Sequence, residues 1–259
     1  MSSGSRFGPP VPGLPVRAMM LAAGEGTRLR PLTERVPKCM VRLGGKPLLE
    51  YGIRWLRKHG ITDLAINLHY LPQTVTEYFG DGARWGVHIT YSFEDAPLGT
   101  AGGVKHIASF FQGPFFVWYG DNLSTCRLDR LWEHHRSHGG AATLALHHRE
   151  DPTHGGIVEL DGRDRITRFL EKPAASEIFS RWVNAGIYVL EPTVLDAIPA
   201  GRVVDFGRDV FPTLLAAGGA LYGYRMSESE RLWWIDRPED LRRVESLWPT
   251  IEPGLMETG

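Results

Sequence analysis

The sequence predicts an α/β protein whose mixed, mostly parallel sheet is flanked by helices. In the first half of the chain, short apolar runs alternate with amphipathic runs of helical periodicity, an order typical of parallel strands covered on both faces. In the second half, strand-like runs follow one another more closely, which indicates a mixed sheet. The length of 259 residues is sufficient for one such domain with a substantial core.

The elements of the first half begin with a predicted strand at residues 18–22, a short apolar run like those of buried parallel strands. Pro47 suits a first helical turn and Gly60 suits a helix end, so the apolar residues spaced between them predict a helix at 47–59. The other predicted elements are strands at 64–68, 87–91 and 115–119 and helices at 73–79 and 100–108.

The second half contains predicted strands at 141–148, 156–160, 165–170 and 183–190, and a closing helix at 239–248. No linker-like stretch divides the halves, so residues 16–250 are predicted to form a single domain. Residues 1–15 are rich in Gly, Pro and Ser and are predicted to be a flexible tail, and residues 251–259 are predicted to be a second tail.

Composition excludes several classes of protein. The formal net charge of −1 gives no reason to expect nucleic-acid binding, which usually shows a basic excess. No apolar run approaches the length of a membrane span, and the first residues lack the apolar middle of a signal peptide. The two cysteines, Cys39 and Cys126, are too few for a disulfide framework, which favours a reducing compartment, the cytoplasm.

The stretch LAAGEGTRLRPLT, beginning at residue 21, follows the first predicted strand. Gly24 and Gly26 can take positive φ and let backbone N–H groups approach an anion, and Arg28 and Arg30 add positive charge. Leu29 stands where the dinucleotide fingerprint requires Gly or Ala, and the nearby GGKP lacks the Ser or Thr of a P-loop. By itself, the pattern is equally compatible with a tight turn at a sheet edge.

The full string LAAGEGTRLRPLT, followed by PKCMVRLGGKPLLEY, closely resembles the start of the sugar-1-phosphate nucleotidyltransferases, also called NDP-sugar pyrophosphorylases. The resemblance extends over nearly the whole chain. It implies a Rossmann-like, GT-A-like fold and a Mg²⁺-dependent reaction in which sugar 1-phosphate and a nucleoside triphosphate give NDP-sugar and pyrophosphate. It implies that residues of about 16–125 form the nucleotide-binding half and residues of about 126–250 the half that binds the sugar phosphate. It also implies that the opening loop wraps the triphosphate.

Such a reaction needs positioning and charge more than an activated side chain. A phosphate oxygen, already ionised near neutral pH, attacks the α-phosphorus in line, so cations must hold two polyanions together and neutralise the leaving group. By resemblance, Arg28 contacts the leaving phosphates and Lys38 grips the nucleotide phosphates. Cys39 replaces the usual Pro, which we expect to alter loop stiffness; Lys38 beside it raises the question of a lowered thiol pKa.

EDAPLGTAGG, from Glu94, resembles the base-recognition motif, in the form most like mannose-1-phosphate guanylyltransferases. A simple helix N-cap at Thr100 is the alternative interpretation of that position. The nucleotide-binding residues that the resemblance implies are Leu21, Ala22, Ala23, Gly24, Gly26, Thr27, Arg28, Lys38, Glu94, Gly99 and Thr100.

Asp121 follows an apolar strand in VWYGDN and matches the metal-binding Asp of the family, with turn formation as the alternative. A second metal ligand is expected in WWIDRPEDL, where the family pattern W-x-D-x-G-x-P-E-D is shortened. Asp236 fits only if residues are missing from the loop, whereas a gapless match places Trp234 at the metal position. We prefer Asp236, because tryptophan cannot bind Mg²⁺.

The sugar-phosphate side is indicated by FLEKP and VNAGIYVL, and by HGGIVEL. Strand alternation places Val183, Ala185 and Ile187 on one face and Asn184, Gly186 and Tyr188 on the other. The sugar-phosphate residues implied by resemblance are Gly156, Glu171, Lys172 and Asn184. The residues expected to act in catalysis are Arg28, Lys38, Asp121 and Lys172.

The run His134-His135-x-x-His138 offers two imidazoles at helical spacing, but no Cys or carboxylate partner accompanies it, so the sequence does not favour a zinc site. The tryptophans Trp132, Trp233 and Trp234 are interpreted as core or pocket walls.

The first functional hypothesis is a guanylyltransferase acting on mannose 1-phosphate and GTP. Glucose 1-phosphate with dTTP or UTP, or a heptose 1-phosphate with GTP, comes next. A catalytically inactive nucleotide-sugar sensor is disfavoured because Arg28, Lys38, Asp121 and Lys172 are all retained. A glycosyltransferase is disfavoured because Asp121 does not belong to an Asp-x-Asp motif. The expected partners are small-molecule substrates, without nucleic acid or membrane, and a homo-oligomer is compatible with the sequence.

Overall fold

A computed structural model describes residues 13–256 of the chain. The strands of the main sheet are β1 (Arg17–Leu21), β2 (Asp63–Leu68), β3 (His88–Phe93), β4 (Phe115–Tyr119), β5 (Ala142–His148), β6 (Gly156–Leu160), β7 (Ile166–Glu171), β8 (Trp182–Leu190) and β9 (Leu221–Arg225). The α-helices are α1 (Leu48–Lys58), α2 (Pro72–Phe79), α3 (Gly99–His106), α4 (Leu128–His138), α5 (Phe211–Ala216) and α6 (Pro238–Met256). Strand β9 and helices α4 and α5 were not among the predicted elements.

Within residues 13–256, the nine strands form one sheet in the order β7-β6-β8-β4-β1-β2-β3, and β5 pairs with both β8 and β9. The pairs β1–β2, β2–β3, β1–β4 and β5–β9 are parallel. Strand β8 is antiparallel to β4, β5 and β6, and β7 is antiparallel to β6. Seven of these strands therefore run in one direction, with β7 and β8 opposed, which confirms the mixed, mostly parallel sheet.

Strand β1 lies in the middle of the sheet and supplies side chains to both of its faces. Met20 belongs to the apolar cluster that includes residues of α1, α2, α4 and α6. Met19 belongs to the opposite cluster, which includes residues of α3 and α5. Because successive strand residues point to opposite faces, the apolar run of β1 is buried throughout its centre, as expected for a strand covered on both sides.

The boundaries of the domain differ from the prediction at both ends. Leu14 packs against the core and Pro15 is buried, so part of the predicted first tail joins the fold. Helix α6 continues eight residues past its predicted end at 248 and buries Ile251 and Leu255, so the predicted boundary at 250 falls inside a helix. Residues 1–12 and 257–259, the rest of the two predicted tails, lie outside the described residues.

Among the described residues, no helix has both the length and the apolar character required to cross a membrane.

Strand β8 contains a bulge beside the site described below. Asn184 pairs with Leu146, whereas Tyr188 pairs with Leu144, so three residues of β8 lie opposite one residue of β5. Asn184 closes this bulge, because its side chain accepts a hydrogen bond from the Gly186 N–H at 2.9 Å and donates to the Tyr188 hydroxyl at 2.7 Å. The predicted two-sided alternation nevertheless holds through the bulge, because Ala185 and Ile187 belong to one apolar cluster, whereas Tyr188, which bonds Asn184, belongs to the opposite one.

Candidate active site

The site lies where the carboxyl ends of β1 and β4 meet. These strands are parallel neighbours, so the loops that follow them leave the same edge of the sheet. The Gly120 N–H donates to the Leu21 carbonyl at 2.9 Å, which holds the two strand ends together. The loop after β1 and Asp121 after β4 are therefore adjacent because of the strand order.

The loop after β1 is shaped by a left-handed glycine and by two side chains. Gly26 has φ of 66°, and a Cβ at this position would lie 2.6 Å from Cβ of Lys38, so only glycine fits without displacement. The Thr33 hydroxyl donates to the Gly26 carbonyl at 2.8 Å, and the Ala22 N–H donates to Oδ1 of Asn67 at 2.8 Å. Gly24, in contrast, does not take the positive φ that we expected.

Lys38 joins two carboxylates that are distant in sequence. Its ammonium lies 2.5 Å from Oδ1 of Asp236 and also contacts Oδ2 of Asp121. Arg28 approaches the same cluster, with a guanidinium nitrogen 3.1 Å from Oδ1 of Asp236. The Lys38 side chain is only 12 % exposed, whereas Arg28 is 57 % exposed, so the first cation is built into the site and the second lies at its mouth.

Asp236 reaches this cluster through a short antiparallel ribbon between Leu123–Ser124 and Leu232–Trp233. The ribbon brings the chain just before Asp236 alongside the chain just after Asp121. Asp240, in the first turn of α6, accepts hydrogen bonds from the N–H groups of Asp236 and Arg237 at 3.2 and 3.0 Å. The structure thus places Asp236 against Lys38, and Trp234 forms part of a cavity wall.

The pKa values of Lys38 and Asp236 are shifted by burial and by the charges that the two side chains place beside each other. Burial alone lowers the pKa of Lys38, but the charges and hydrogen bonds of Asp121 and Asp236 outweigh it and raise the pKa above its ordinary value. Burial raises the pKa of Asp236, yet Lys38, Arg28 and then Lys172 lower it overall. Lysine and aspartate therefore both stay charged near neutral pH.

Two cavities meet at Lys38 and Asp121. The first, of about 440 Å³, is lined by the predicted nucleotide residues with the exception of Arg28. The second, of about 290 Å³, is lined by Arg28, by Asp236 and by all the predicted sugar-phosphate residues: Gly156, Glu171, Lys172 and Asn184. Both cavities share the same five residues at their junction: Lys38, Thr100, Tyr119, Asp121 and Asp205.

Glu94 and its glycine-rich helix form part of the first cavity. The buried Glu94 carboxylate accepts hydrogen bonds from Nδ2 of Asn67 at 2.7 Å and from the Leu98 N–H at 2.9 Å. Each of its oxygens thus has a partner within the protein, which fixes the loop entering α3. Gly99 has φ of 75°, and a Cβ there would lie 2.5 Å from the Val204 carbonyl oxygen, so a side chain is excluded.

Thr100 connects the two halves of the site, a role that the N-cap interpretation did not anticipate. It lies inside α3, whose N-cap is Leu98. Its hydroxyl donates to Oδ2 of Asp205 at 2.8 Å and accepts from the Phe206 N–H at 2.8 Å. Asp205 in turn accepts from the N–H groups of Gly207 and Arg208 at 2.9 and 3.1 Å, at the start of the π-helical turn before α5.

Sequence reasoning missed Asp205, Tyr119 and Asn67. Asp205 has one sequence signal, an acidic residue just before a helical segment, which is typical of a helix cap. Its charge affects the sugar side as well, because burial and then Asp205 raise the pKa of Glu171 above its usual range. The Tyr119 hydroxyl accepts a hydrogen bond from Tyr188 at 3.3 Å, and no motif indicated this contact.

Cys39 does not behave as a reactive thiol. It is buried, and burial followed by the charge of Asp121 raises its pKa to about 12, against the smaller lowering effect of Lys38. The thiol therefore stays protonated at neutral pH, and the question raised by its basic neighbour has a negative answer.

Asp121, at the junction of the cavities, and Asp236, in the wall of the second cavity, provide the oxygen donors that Mg²⁺ prefers, completed by phosphate oxygens. The structure itself tests this fit, because the two carboxylates already hold one cationic group, the Lys38 ammonium, between them. Asp121 and Asp236 are thus suited to a divalent cation.

Comparison with known proteins identifies the family of the chain. The family model described as nucleotidyl transferase matches residues 17–249. A UTP–glucose-1-phosphate uridylyltransferase from Synechocystis sp. is 37 % identical over 250 residues, 91 % of this chain and 62 % of the relative. A mannose-1-phosphate guanylyltransferase from Mycobacterium tuberculosis is 40 % identical over 235 residues, 88 % of this chain and 63 % of the relative.

Among solved structures, a Bacillus anthracis protein assigned as a glucose-1-phosphate thymidylyltransferase superposes with a TM-score of 0.79. It is 24 % identical, and the match covers 89 % of this chain and 94 % of that one, which shows a shared fold. The chain spans a little over three fifths of the length of the two curated relatives above. The family match over most of the sequence establishes that the chain belongs to the sugar-1-phosphate nucleotidyltransferase family.

Proposed function

We propose that this chain transfers a nucleotidyl group from a nucleoside triphosphate to a sugar 1-phosphate and releases pyrophosphate. One observation supports this best: two separate cavities meet at Lys38 and Asp121. Two substrates bound side by side in these cavities would bring their phosphates together at that junction. A site for a single ligand would not need a second cavity that adds polar residues of its own, such as Glu171, Lys172 and Asn184.

In this proposal the cationic side chains position the phosphates of the two substrates and neutralise their negative charge. Lys38 is at the junction of the cavities and can contact phosphates from either one, while Arg28 and Lys172 face the second cavity. Lys172 has a left-handed backbone with φ of 49°, a conformation that is strained for a residue other than glycine and is often found at functional sites. Holding both polyanions in line supplies the proximity that the displacement requires.

Asp121 and Asp236 would hold Mg²⁺, which would supply additional positive charge at the reacting phosphates when bound. The side chains are 29 % and 27 % exposed, with Asp121 lining both cavities and Asp236 lining the second. Because each already contacts Lys38, the ammonium must move when a metal ion enters. The nucleotide phosphates provide an alternative partner for that ammonium.

Mannose 1-phosphate and GTP are the first candidate substrates. Support comes from the PLGTAG form of the motif at residues 97–102 and from the relative named mannose-1-phosphate guanylyltransferase at 40 % identity. Glucose 1-phosphate with UTP is the second candidate, because the relative named for that reaction matches 91 % of the chain.

A pyrophosphate-release assay with five nucleoside triphosphates against mannose, glucose and heptose 1-phosphates, with Mg²⁺ present or removed, tests the proposal. We expect release only with both substrates and metal, and fastest with GTP and mannose 1-phosphate. Asp121→Ala should reduce the rate by a hundredfold or more, roughly the cost of losing one charge-stabilising group. Asp196→Asn, an exposed aspartate outside both cavities, is the matched control. Absence of release for every pair with folded protein contradicts the proposal.

A further inference from the structure

A second cluster of potential metal ligands lies outside the active site, between α4 and the turn that joins β6 to β7. His134 and His138 are one turn apart on α4, and Asp164 lies in the turn between β6 and β7. Among the described residues, one ligand atom from each of the three lies within 4.8 Å of the others. The sequence showed the two imidazoles without a carboxylate partner, and the fold supplies that partner.

The surroundings of the two histidines favour neutral imidazoles, the form that binds a metal ion. Nδ1 of His138 is 2.8 Å from the His134 carbonyl oxygen, so this nitrogen donates and Nε2 keeps its lone pair. Burial lowers the pKa of His134, which favours its neutral form. The two rings stack with centroids 4.2 Å apart, so their nitrogens lie side by side.

His134 is incompletely satisfied by the protein alone. Its Nε2 is 3.4 Å from Oδ2 of Asp164, a long distance for a hydrogen bond, and its Nδ1 is buried without a hydrogen-bond partner. The nitrogen that faces Asp164 is Nε2, whose protein contact is long, so a cation between Nε2 and the carboxylate would give it a stronger partner. Nδ1 is then the nitrogen that keeps the ring proton.

Asp164 is held in position from two sides. Its backbone is left-handed, with φ of 61°, and its carbonyl accepts a hydrogen bond from the Gly223 N–H at 2.9 Å. Nη1 of Arg225 is 2.8 Å from Oδ1, which leaves Oδ2 directed towards His134. An outer partner that orients a ligating carboxylate in this way is typical of protein metal sites.

We propose that His134, His138 and Asp164 bind a first-row divalent transition ion, with Zn²⁺ the best match. Two imidazole nitrogens and one carboxylate oxygen suit Zn²⁺, whereas Mg²⁺ prefers oxygen ligands only. Asp164 lies at the opposite end of the β6–β7 hairpin from Gly156 and Glu171, about 16 Å away at the usual strand rise. The ion would therefore tie α4 to this hairpin and take no part in the transfer reaction.

Isothermal titration of the metal-stripped full chain with Zn²⁺ tests the site, in excess Mg²⁺ so that Mg²⁺ competes with Zn²⁺ for the Asp121–Asp236 carboxylates. We expect one strong equivalent in the wild type and a loss of affinity of about tenfold or more in His138→Gln and Asp164→Asn. His88→Gln, an exposed histidine on β3, is the matched control and should bind Zn²⁺ like the wild type.

Thermal unfolding provides a second measurement on the same proteins. Zn²⁺ should raise the Tm of the wild type and of His88→Gln, and should not raise that of His138→Gln or Asp164→Asn, while Mg²⁺-dependent pyrophosphate release stays unchanged in all four. Unchanged Zn²⁺ affinity in both site variants, or no strong equivalent in the wild type, overturns the proposal. Because the readouts are binding and Tm, this result is independent of the proposed transferase activity.

Discussion

Nζ of Lys38 lies 2.5 Å from Oδ1 of Asp236, although 198 residues separate the two in the chain. The same ammonium contacts Asp121, so one lysine bridges the two carboxylates that are suited to a metal ion. A metal ion held by these carboxylates, as proposed above, would compete with the lysine for the same pair of oxygens. Its entry would then depend on where the ammonium goes, and phosphate groups bound in the first cavity would offer the ammonium a new partner.

Lys38→Met should change the response of the protein to metal alone. Without the ammonium, the two carboxylates repel each other, and Mg²⁺ no longer has to displace a bound cation. We expect a larger Mg²⁺-induced rise in Tm in the variant than in the wild type, and a rate of pyrophosphate release at least about a hundredfold lower. Lys46→Met, outside both cavities, is the control. Equal Tm responses in wild type and Lys38→Met would refute the competition.

Lys172→Ala should affect the KM values of the two substrates unequally. The side chain lines only the second cavity, so its loss should raise the KM for sugar 1-phosphate much more than the KM for nucleotide. Initial-rate measurements with each substrate varied in turn provide both constants. An equal rise in both KM values would show that the second cavity does not hold the sugar phosphate.

The mixed, mostly parallel sheet was accessible from sequence because it depends on local patterns: apolar runs with helical segments between them predicted β1 to β4. The site residues came from resemblance to family motifs, and their roles stay predictions. The position of Asp236 was less secure, because the shortened WWIDRPEDL loop permits two registers and only the ribbon with Leu123–Ser124 decides between them.

The contacts that sequence analysis missed join residues that are far apart in the chain, and neither helical nor strand periodicity predicts such pairs. The bond between Thr100 and Asp205 spans 105 positions, and that between Asn67 and Glu94 spans 27. The bulge in β8 was missed for a similar reason, since strand alternation assumes a regular partner strand. The end of α6 was misplaced because its burial depends on packing against the core by Ile251 and Leu255.

Thr100→Val should destabilise the protein through the contact between α3 and the turn before α5. Valine preserves the shape but leaves the buried Phe206 N–H without its acceptor and Asp205 without one donor. The free energy of unfolding should fall by about 1–3 kcal/mol, measured by urea denaturation. Thr100→Ser keeps the hydroxyl and should stay close to the wild type. A valine variant as stable as the wild type contradicts this role.

Stability should decrease in mild acid because of buried histidine. Burial lowers the pKa of His59 from 6.5 to about 4, outweighing the opposing effects of the Trp55 carbonyl and Asp129. Between these values the unfolded chain binds a proton that the folded protein excludes, so stability falls as the pH falls through this window, by roughly 1.4 kcal/mol per pH unit. Below about 4, this residue adds no further loss.

Urea denaturation at pH values above and inside the window measures this effect. His59→Gln should show a shallower decline than the wild type, although His147, whose pKa burial lowers to about 3, preserves part of the slope. An identical pH dependence in both proteins would show that His59 is not the cause.

The central claim is that Asp121 and Asp236 together form one metal site at the junction of the cavities. Electron paramagnetic resonance of Mn²⁺, titrated into the protein with a non-hydrolysable GTP analogue, tests it most directly. We expect one bound Mn²⁺ in the wild type, and binding weakened by at least about tenfold in both Asp121→Asn and Asp236→Asn. Binding by Asp236→Asn equal to that of the wild type would contradict the claim.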